Sequence, residues 1–355
     1  MRPVANPPNP YLSEYREWLG PPPVARLEVY EEHAASIVAE NDSPDVPFRW
    51  SVNPYRGCQH GCAYCYARRT HEYLGLGAGT DFETKITVKV NAPELLEQTL
   101  AAPRWPRETI AFSGVTDCYQ PLEAVYQLTR RCLEACVRRA NPVGVVTKSY
   151  LVVRDTDVLA ELHRRAGAHV AFSIPFADPT VARRLEPHAP PPERQFEALR
   201  RLAEAGVPVG LILAPIIPGL NDRDIPALLK QAAACGATTA SYTPVRLPGS
   251  VKDVFLARLR AEFPDRAARV EARIRALHGG QWNDPRFGWR MRGSGEYWAS
   301  VQRLFETTAT RLGLDCGQPW RHSAGLGPDA PGTKQLLLFP PINRSRGRAE
   351  CGPTR

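Results

Sequence analysis

The chain has 355 residues, of which 43% are hydrophobic and 8% aromatic, and its formal net charge is +8. This length suits one large α/β domain with extensions, or two smaller domains. No apolar run approaches the ~20 residues that a membrane-spanning helix needs, so we expect a cytoplasmic protein without a membrane partner. The positive charge permits a nucleic-acid or other anionic partner, but arginine pairs spread along the chain favour solvated helix faces.

The chain divides into four predicted parts. Residues 1–46 are proline-rich and lack the apolar stretch of a signal peptide, so they read as an arm with one short helix near Arg26 to Glu40. Residues 47–248 form the predicted core domain, and 249–342 form a helical extension. We expect 343–355 to be disordered.

Six strand-like runs alternate with helical patterns in the core, which predicts βαβ units and a parallel sheet. These strands are Phe48–Asn53, Thr109–Val115, Val143–Ser149, His169–Phe176, Val207–Ile217 and Thr238–Val245. Between the first two lies an insertion, Thr70–Asn91, which could be a strand pair, a lid or a plain surface loop.

Helix start and stop signals fall between these strands. Pro121 opens one segment, with apolar positions Leu122, Val125, Leu128 and Leu133, and Asp155-Thr-Asp157 caps the next. Pro190–Pro192 precedes a third, closed by Gly206, and Asn221-Asp222 begins a fourth, closed by Gly236. Beyond the core, helices are predicted at Val251–Phe263 and Asp265–His278, and another runs to Leu312.

Three cysteines stand in one short loop after the first strand. Cys58, Cys62 and Cys65 have C-x3-C-x2-C spacing, and Gly57 and Gly61 allow a tight backbone around a bulky group. Electron-transfer cubanes normally have four cysteine ligands, so a trio suggests an iron–sulfur cluster with one iron open. The alternative is a closed Cys3His zinc site that also uses His60.

The loop, with an aromatic residue before its third cysteine, resembles the cluster loop of radical S-adenosylmethionine (SAM) enzymes. Asn53-Pro-Tyr-Arg-Gly-Cys58 and Thr116-Asp-Cys-Tyr-Gln-Pro-Leu-Glu123 are similar to a bacterial branch related to spore photoproduct lyase. The resemblance covers about Pro47 to Pro248. It implies an α/β fold with a partial (β/α)6 TIM-like barrel, and a [4Fe–4S] cluster held by the three cysteines with SAM on the fourth iron.

The resemblance also implies a reaction. A reductant such as flavodoxin or ferredoxin would supply one electron, and SAM would give methionine and a 5′-deoxyadenosyl radical. The radical would take hydrogen from an unknown substrate, with DNA or RNA as candidates. The competing hypothesis is a nucleic-acid-binding protein that zinc or a cluster merely organises.

Strand ends supply the SAM contacts implied by the resemblance. Asp117 corresponds to the family's acidic stretch near the methionyl amino group. The family's usual Gly-Gly-Glu is absent here, so Thr116 could bind the amino group instead. Either residue could alternatively cap the next helix. Lys148 and Ser173 would approach the SAM carboxylate or ribose; the alternatives are a surface lysine and a hydroxyl bonded to its own backbone.

Two tyrosines and one further cysteine complete the candidates. Tyr64 matches the adenine-contacting position and Tyr66 a second tyrosine of the lyase, with cluster packing as the alternative. Cys118 is a candidate hydrogen donor, although Gly114 falls where the lyase has its donor cysteine, which puts thymine-photoproduct repair in doubt. Cys132 and Cys136 read as core residues, and Cys235 fits a helix end.

The segment Arg286–Tyr297 combines arginines with aromatic residues and glycines. It could stack on a base or a sugar, or form an ordered cover over the barrel.

Overall fold

A computed structural model describes residues 6–13 and 25–316 of the chain. It contains ten strands in this part: β1 Glu28–Glu32, β2 Val38–Glu40, β3 Trp50–Val52, β4 Tyr55–Arg56, β5 Lys85–Lys89, β6 Ile110–Phe112, β7 Val143–Thr147, β8 Ala168–Ser173, β9 Val209–Ile216 and β10 Thr239–Pro244.

Twelve α-helices lie in the same described part. They are α1 Arg69–Glu72, α2 Thr80–Thr84, α3 Ala92–Ala101, α4 Glu123–Tyr126, α5 Leu128–Arg139, α6 Thr156–Arg165, α7 Pro179–Leu185, α8 Pro192–Glu204, α9 Ile225–Ala234, α10 Val251–Glu262, α11 Pro264–Leu277 and α12 Glu296–Arg311. No helix among the described residues is long and apolar enough to cross a bilayer.

The main sheet has seven strands in the order β10-β9-β8-β7-β6-β3-β2. Six of them, β3 and β6 to β10, run parallel, and β2 adds one antiparallel edge strand. All six predicted strands are therefore present, each somewhat shorter than its apolar run. Parallel strands joined by helical crossovers give the predicted partial TIM-like barrel.

Apolar side chains on both faces of the strands build the core. Phe112, Val145, Phe172 and Leu211 lie on four neighbouring strands and are almost wholly buried. Burying such a side chain contributes about 1.5–3 kcal/mol. The crossover helices cover this layer, which leaves the carboxyl ends of the strands to form one face of the molecule.

The helices mostly follow their predicted signals. α8 has proline in its first turn, buries Phe196, Leu199 and Leu202, and stops before Gly206, whose φ is +79°. α9 likewise stops before Gly236. At α6, Asp155 precedes the helix as predicted, but its side chain does not cap it and instead binds Arg130 and Arg154.

The helix predicted after Pro121 is broken in two. Gln127 takes a left-handed conformation between α4 and α5, with φ +52°. The carboxylate of Glu123 accepts hydrogen bonds from the Thr129 and Arg130 amides, at 2.9 and 3.2 Å, and so caps α5. Val125, predicted to be apolar core, is 78% exposed because α4 turns it to solvent.

A second, three-stranded sheet has the order β1-β5-β4 and overturns one prediction. The helix expected near Arg26 to Glu40 is wrong, since β1 and β2 occupy that stretch. β1 pairs in parallel with β5 along its whole length, so tertiary pairing overrides local helix propensity. In β5, Ile86 and Val88 are buried. The 70–91 insertion thus supplies one strand, which pairs with β1 and β4 outside it, rather than a strand pair of its own.

The region beyond the barrel is helical as predicted, with α10 and α11 followed by α12. The four-part division stays a prediction, although β2 shows that the arm contributes a strand to the main sheet. The tail predicted at 343–355 lies outside the described residues.

Candidate functional site

The cysteine loop lies directly after β3 and β4, at the carboxyl end of the barrel. Gly57 and Gly61 have φ of +82° and +67°, values that side-chain-bearing residues rarely adopt. A Cβ at Gly57 would lie 2.8 Å from Ile86 Cδ1, so β5 also leaves no room there. Cys58 and Cys62 are buried, and Cys65 is partly exposed.

Arg68 is wholly buried and forms hydrogen bonds to the cysteine loop. Its guanidinium donates to the carbonyl oxygens of Cys62 and Gly61 at 2.9 and 3.0 Å, and to those of Ala78 and Gly79 at 2.9 and 3.0 Å. The remaining partner is the carboxylate of Glu83. The planar, five-donor guanidinium satisfies carbonyls on both sides of the loop, which lysine could not do.

The three thiols are suited to a metal cluster. Burial raises the pKa of each, that of Cys58 to about 12, so bound iron rather than the protein would stabilise their thiolates. In the described part of the chain, no three His, Cys, Asp or Glu side chains are grouped tightly enough for a single metal ion. Three thiols on one glycine-shaped loop fit the larger cubane.

Asp117 lies beside the cysteine loop. Its carboxylate accepts hydrogen bonds from the Thr147 hydroxyl and the Lys148 amide, both at 2.8 Å, and His60 Nδ1 is 3.4 Å away. His60 is thus engaged with Asp117. The next helix, α4, begins only at Glu123, so neither Asp117 nor Thr116 caps it.

Thr116 faces β3 and β4. Its hydroxyl donates to the Tyr55 carbonyl at 3.0 Å and accepts from the Asn53 side chain at 2.9 Å. Asn53 also binds the carbonyls of Ser113 and Thr116, at 3.0 and 2.6 Å. These bonds fasten the end of β6 to the start of the cysteine loop.

Lys148 and Ser173 meet at the ends of β7 and β8. Lys148 Nζ donates to the Ser173 carbonyl and hydroxyl oxygens at 2.9 and 3.1 Å, and lies 2.8 Å from Glu186 Oε1. The Tyr64 hydroxyl donates to the same carboxylate. Lys148 is therefore a buried lysine in a four-residue group beside Cys62, not a surface one.

Burial acts on both members of the Lys148–Glu186 pair. It lowers the pKa of Lys148 and raises that of Glu186 well above its usual range. A ligand carboxylate could replace Glu186 as the partner of the Lys148 ammonium, while Glu186 accepts a proton. The group can therefore admit one anionic ligand without leaving a lone buried charge.

The side chains of Tyr64 and Tyr66 lie in different environments, one buried and one exposed. Tyr64 is buried against Phe176, with ring centroids 6.4 Å apart. Tyr66 is 52% exposed, and its hydroxyl donates to the Gly114 carbonyl at 2.7 Å. Tyr66 thus lies at the open mouth of the barrel, across from the end of β6.

The other cysteines lie away from the mouth. Cys118 is wholly buried, its thiol beside the hydroxyls of Ser113 and Thr129, and it would have to move to touch a substrate. Cys132 and Cys136 are buried on α5, and Cys235 follows α9. The eight cysteines of the described part form no disulfide.

The Arg286–Tyr297 loop packs on the N-terminal arm near the mouth. The Gly288 amide and the Arg290 guanidinium donate to Asp45 at 2.6 and 2.5 Å. Arg246, which follows β10, donates to Met291 Sδ at 2.8 Å. Phe287 and Trp289 stay more than half exposed.

Sequence reasoning missed Arg68 and Glu186. Arg68 stands three residues after Cys65, and no periodicity separates it from the exposed arginines elsewhere. Glu186 meets Tyr64 across 122 positions of the chain. The folded barrel brings these distant residues together, and no local sequence pattern marks their contact.

The sequence model of the Radical SAM superfamily matches residues 52–232, just over half of the chain. The chain belongs to the radical SAM superfamily. Its members are enzymes, and their cofactors are a [4Fe–4S] cluster and SAM, which removes the zinc alternative for this loop.

Relatives of this radical SAM protein are known from several sources. An uncharacterized protein of Mycobacterium tuberculosis is 37% identical over 226 residues, 63% of this chain and 66% of that protein. The chain thus spans just under two thirds of that relative's length. A protein of Pseudomonas phage M6 named radical SAM Nα-GlyT isomerase is 23% identical, over 79% of this chain and 55% of its own.

Among solved structures, spore photoproduct lyase complexed with dinucleoside spore photoproduct superposes with a TM-score of 0.62. The two share 17% identity, and the match covers 84% of this chain and 87% of the lyase. This likeness confirms the fold.

Proposed function

We propose that this protein is a radical SAM enzyme that removes a hydrogen atom from a nucleic-acid substrate. The observation that carries the proposal is the placement of Lys148, Ser173 and Asp117 around the cysteine loop at the carboxyl ends of the strands. When bound, the cluster and SAM supply one-electron reductive cleavage and the radical that abstracts hydrogen.

The chain's own residues bind and orient in this scheme. Cys58, Cys62 and Cys65 hold the cluster. Lys148 and Ser173 take the SAM carboxylate or ribose. Asp117 takes the amino group, because its carboxylate is a stronger acceptor than the Thr116 hydroxyl. The Tyr64 ring packs against the adenine, and Tyr66 lies at the mouth of the barrel. Cys118 as hydrogen donor stays a prediction.

Nucleic acid is the substrate class that the mouth favours. Arg286 lies 5.6 Å from the Trp289 ring centroid, and Arg290 lies 4.2 Å from that of Phe287. Both guanidinium groups also pair with carboxylates, Arg286 with Asp284 and Arg290 with Asp45, so the exposed aromatic faces would carry the contact by stacking on bases. The dinucleoside ligand of the spore photoproduct lyase structure agrees with this class. The cysteines of the described part form no disulfide, which agrees with the cytoplasmic location that we propose.

Anaerobic reconstitution with iron and sulfide, followed by SAM and dithionite, tests the proposal. We expect mass spectrometry to detect 5′-deoxyadenosine, and its yield to rise when single-stranded DNA or RNA is added. Salt-sensitive nucleic-acid binding without any SAM cleavage would instead support the binding-only hypothesis.

Replacing Lys148 with Met should weaken SAM binding at least about tenfold, because a hydrogen bond to a charged group contributes about 1.5–3 kcal/mol. The fold should survive, since the raised pKa of Glu186 lets a proton replace the lysine. Calorimetric titration of the cluster-loaded protein with SAM measures the change. Lys230→Met, at an exposed lysine of α9, is the matched control. Equal SAM affinities in the two variants would show that Lys148 does not contact SAM.

Removing the exposed rings with Phe287→Ala and Trp289→Ala should weaken binding of a short single-stranded oligonucleotide. Stacking contributes about 1–3 kcal/mol per base, so Kd should rise about tenfold or more for the pair. Fluorescence anisotropy at two salt concentrations measures it. Tyr73→Ala removes another exposed ring, at 64% exposure, and should leave Kd unchanged. A loop that merely covers the barrel would show no difference between these variants.

A further inference from the structure

A basic concavity lies on the outer side of the cysteine loop, apart from the mouth. It encloses about 230 Å³ between the end of α7 and α10. Its lining consists of Glu83, Arg183, Arg184, Pro187, His188, Arg258 and Glu262. The lining therefore draws three arginines from two helices that the barrel brings together.

This concavity borders the cysteine loop, because backbone hydrogen bonds join the segment after α7 to that loop. The His188 amide donates to the His60 carbonyl at 3.2 Å, and the Ala63 amide donates to the Leu185 carbonyl at 2.8 Å. These two bonds flank Cys62 on the loop. A partner seated here would lie against the segment that these bonds tie to the cysteine loop.

Arg183 and Arg184 are exposed, and Arg258 is half-buried. No described carboxylate forms an ion pair with Arg183. Arg184 donates to the Glu262 carbonyl at 2.9 Å, and Arg258 donates to the Arg184 carbonyl at 3.3 Å, so backbone bonds hold both guanidinium groups in place. Glu83 is held by the buried Arg68. Three arginines thus stand against one further carboxylate in the lining, Glu262, and the net charge of the rim is positive.

We propose that this concavity is the docking surface for a small acidic protein that carries single electrons. The proposal rests on the proposed function, which needs an electron at the cluster but does not say where it enters. The carrier would lose one electron and the cluster would gain one, with no bond made or broken. Charge complementarity would raise the rate of encounter with an acidic carrier.

The test compares two reductants on the cluster-loaded enzyme. Arg183→Glu/Arg184→Glu reverses two charges on the rim, and Arg303→Glu/Arg311→Glu reverses two exposed charges on α12 as the matched control. Reduced flavodoxin and dithionite each serve as donor, and stopped-flow absorbance follows cluster reduction at low and high salt. Flavodoxin affinity is measured separately on each variant by biolayer interferometry.

We expect the rim variant to slow reduction by flavodoxin about tenfold or more at low salt, and to weaken flavodoxin binding, while dithionite reduces it at the normal rate. The control should match the unmodified enzyme with both donors. Arg183→Glu alone, which disturbs no backbone bond, should show a smaller loss in the same direction.

Equal flavodoxin rates in rim and control variants would overturn the docking proposal while leaving the proposed function intact. Weakened oligonucleotide binding with unchanged flavodoxin binding would also overturn it, by assigning the rim to nucleic acid. Failure of SAM cleavage with dithionite in the unmodified enzyme would instead count against the proposed function.

Discussion

Replacing Cys58, Cys62 or Cys65 singly with Ser is expected to reduce SAM cleavage to the background rate. Serine keeps the size of the side chain but removes the soft thiolate that iron–sulfur clusters require. The three thiols lie on one loop, and Cys118, Cys132 and Cys136, which are described in the structure, are buried in the core rather than beside it. The reconstituted variants should therefore bind less iron and lose their brown colour.

Iron and sulfide analysis and 5′-deoxyadenosine yield measure this loss. Cys235→Ser is the matched control, since Cys235 follows α9 far from the loop, and it should keep both iron and activity. SAM cleavage at the normal rate in any of the three variants would show that its cysteine is not a cluster ligand.

Replacing Arg68 with Met is expected to destabilise the protein by about 3–5 kcal/mol, because it removes the fully buried member of the Arg68–Glu83 ion pair. Carbonyls of Gly61 and Cys62 would lose their donors in the same step. The cysteine loop would loosen, and cluster loading should fall even in protein that stays folded. Arg68→Lys should fail too, because an ammonium has only three donors.

Urea unfolding of the cluster-free protein measures the stability loss separately from iron content. Arg164→Met, at a 72% exposed arginine of α6, is the control and should change stability by less than about 0.5 kcal/mol. A second variant, Arg68→Met/Glu83→Gln, removes both charges and should recover part of the loss. Normal stability in Arg68→Met would show that the buried guanidinium does not support the loop.

Much of the barrel could be predicted from the sequence because its signals are local. A buried parallel strand is a short apolar run, and Pro192 and Gly206 mark the ends of α8 on their own. The same reasoning failed at Arg26–Glu40 and at Val125. There the outcome depends on pairing with β5, and on the Glu123 carboxylate capping α5 after a left-handed residue.

The candidate site divides in the same way. The cysteine spacing is visible in a dozen residues, and Lys148 and Ser173 stand out because they end predicted strands. Their meeting at 2.9 Å confirms that strand ends converge, but Glu186 carries no such marker. The Glu186 carboxylate reaches Tyr64 because of the way α7 packs, and this packing leaves no local pattern in the sequence.

The bond between Asp45 and Arg290 has a consequence for synthesis of the chain. The two residues are 245 positions apart, so the arm emerges from the ribosome long before its partner exists. The barrel strands and the cysteine loop can assemble in the interval, since they lie between the two. The outer wall of the mouth can therefore form only after the residues that would hold iron have been synthesised.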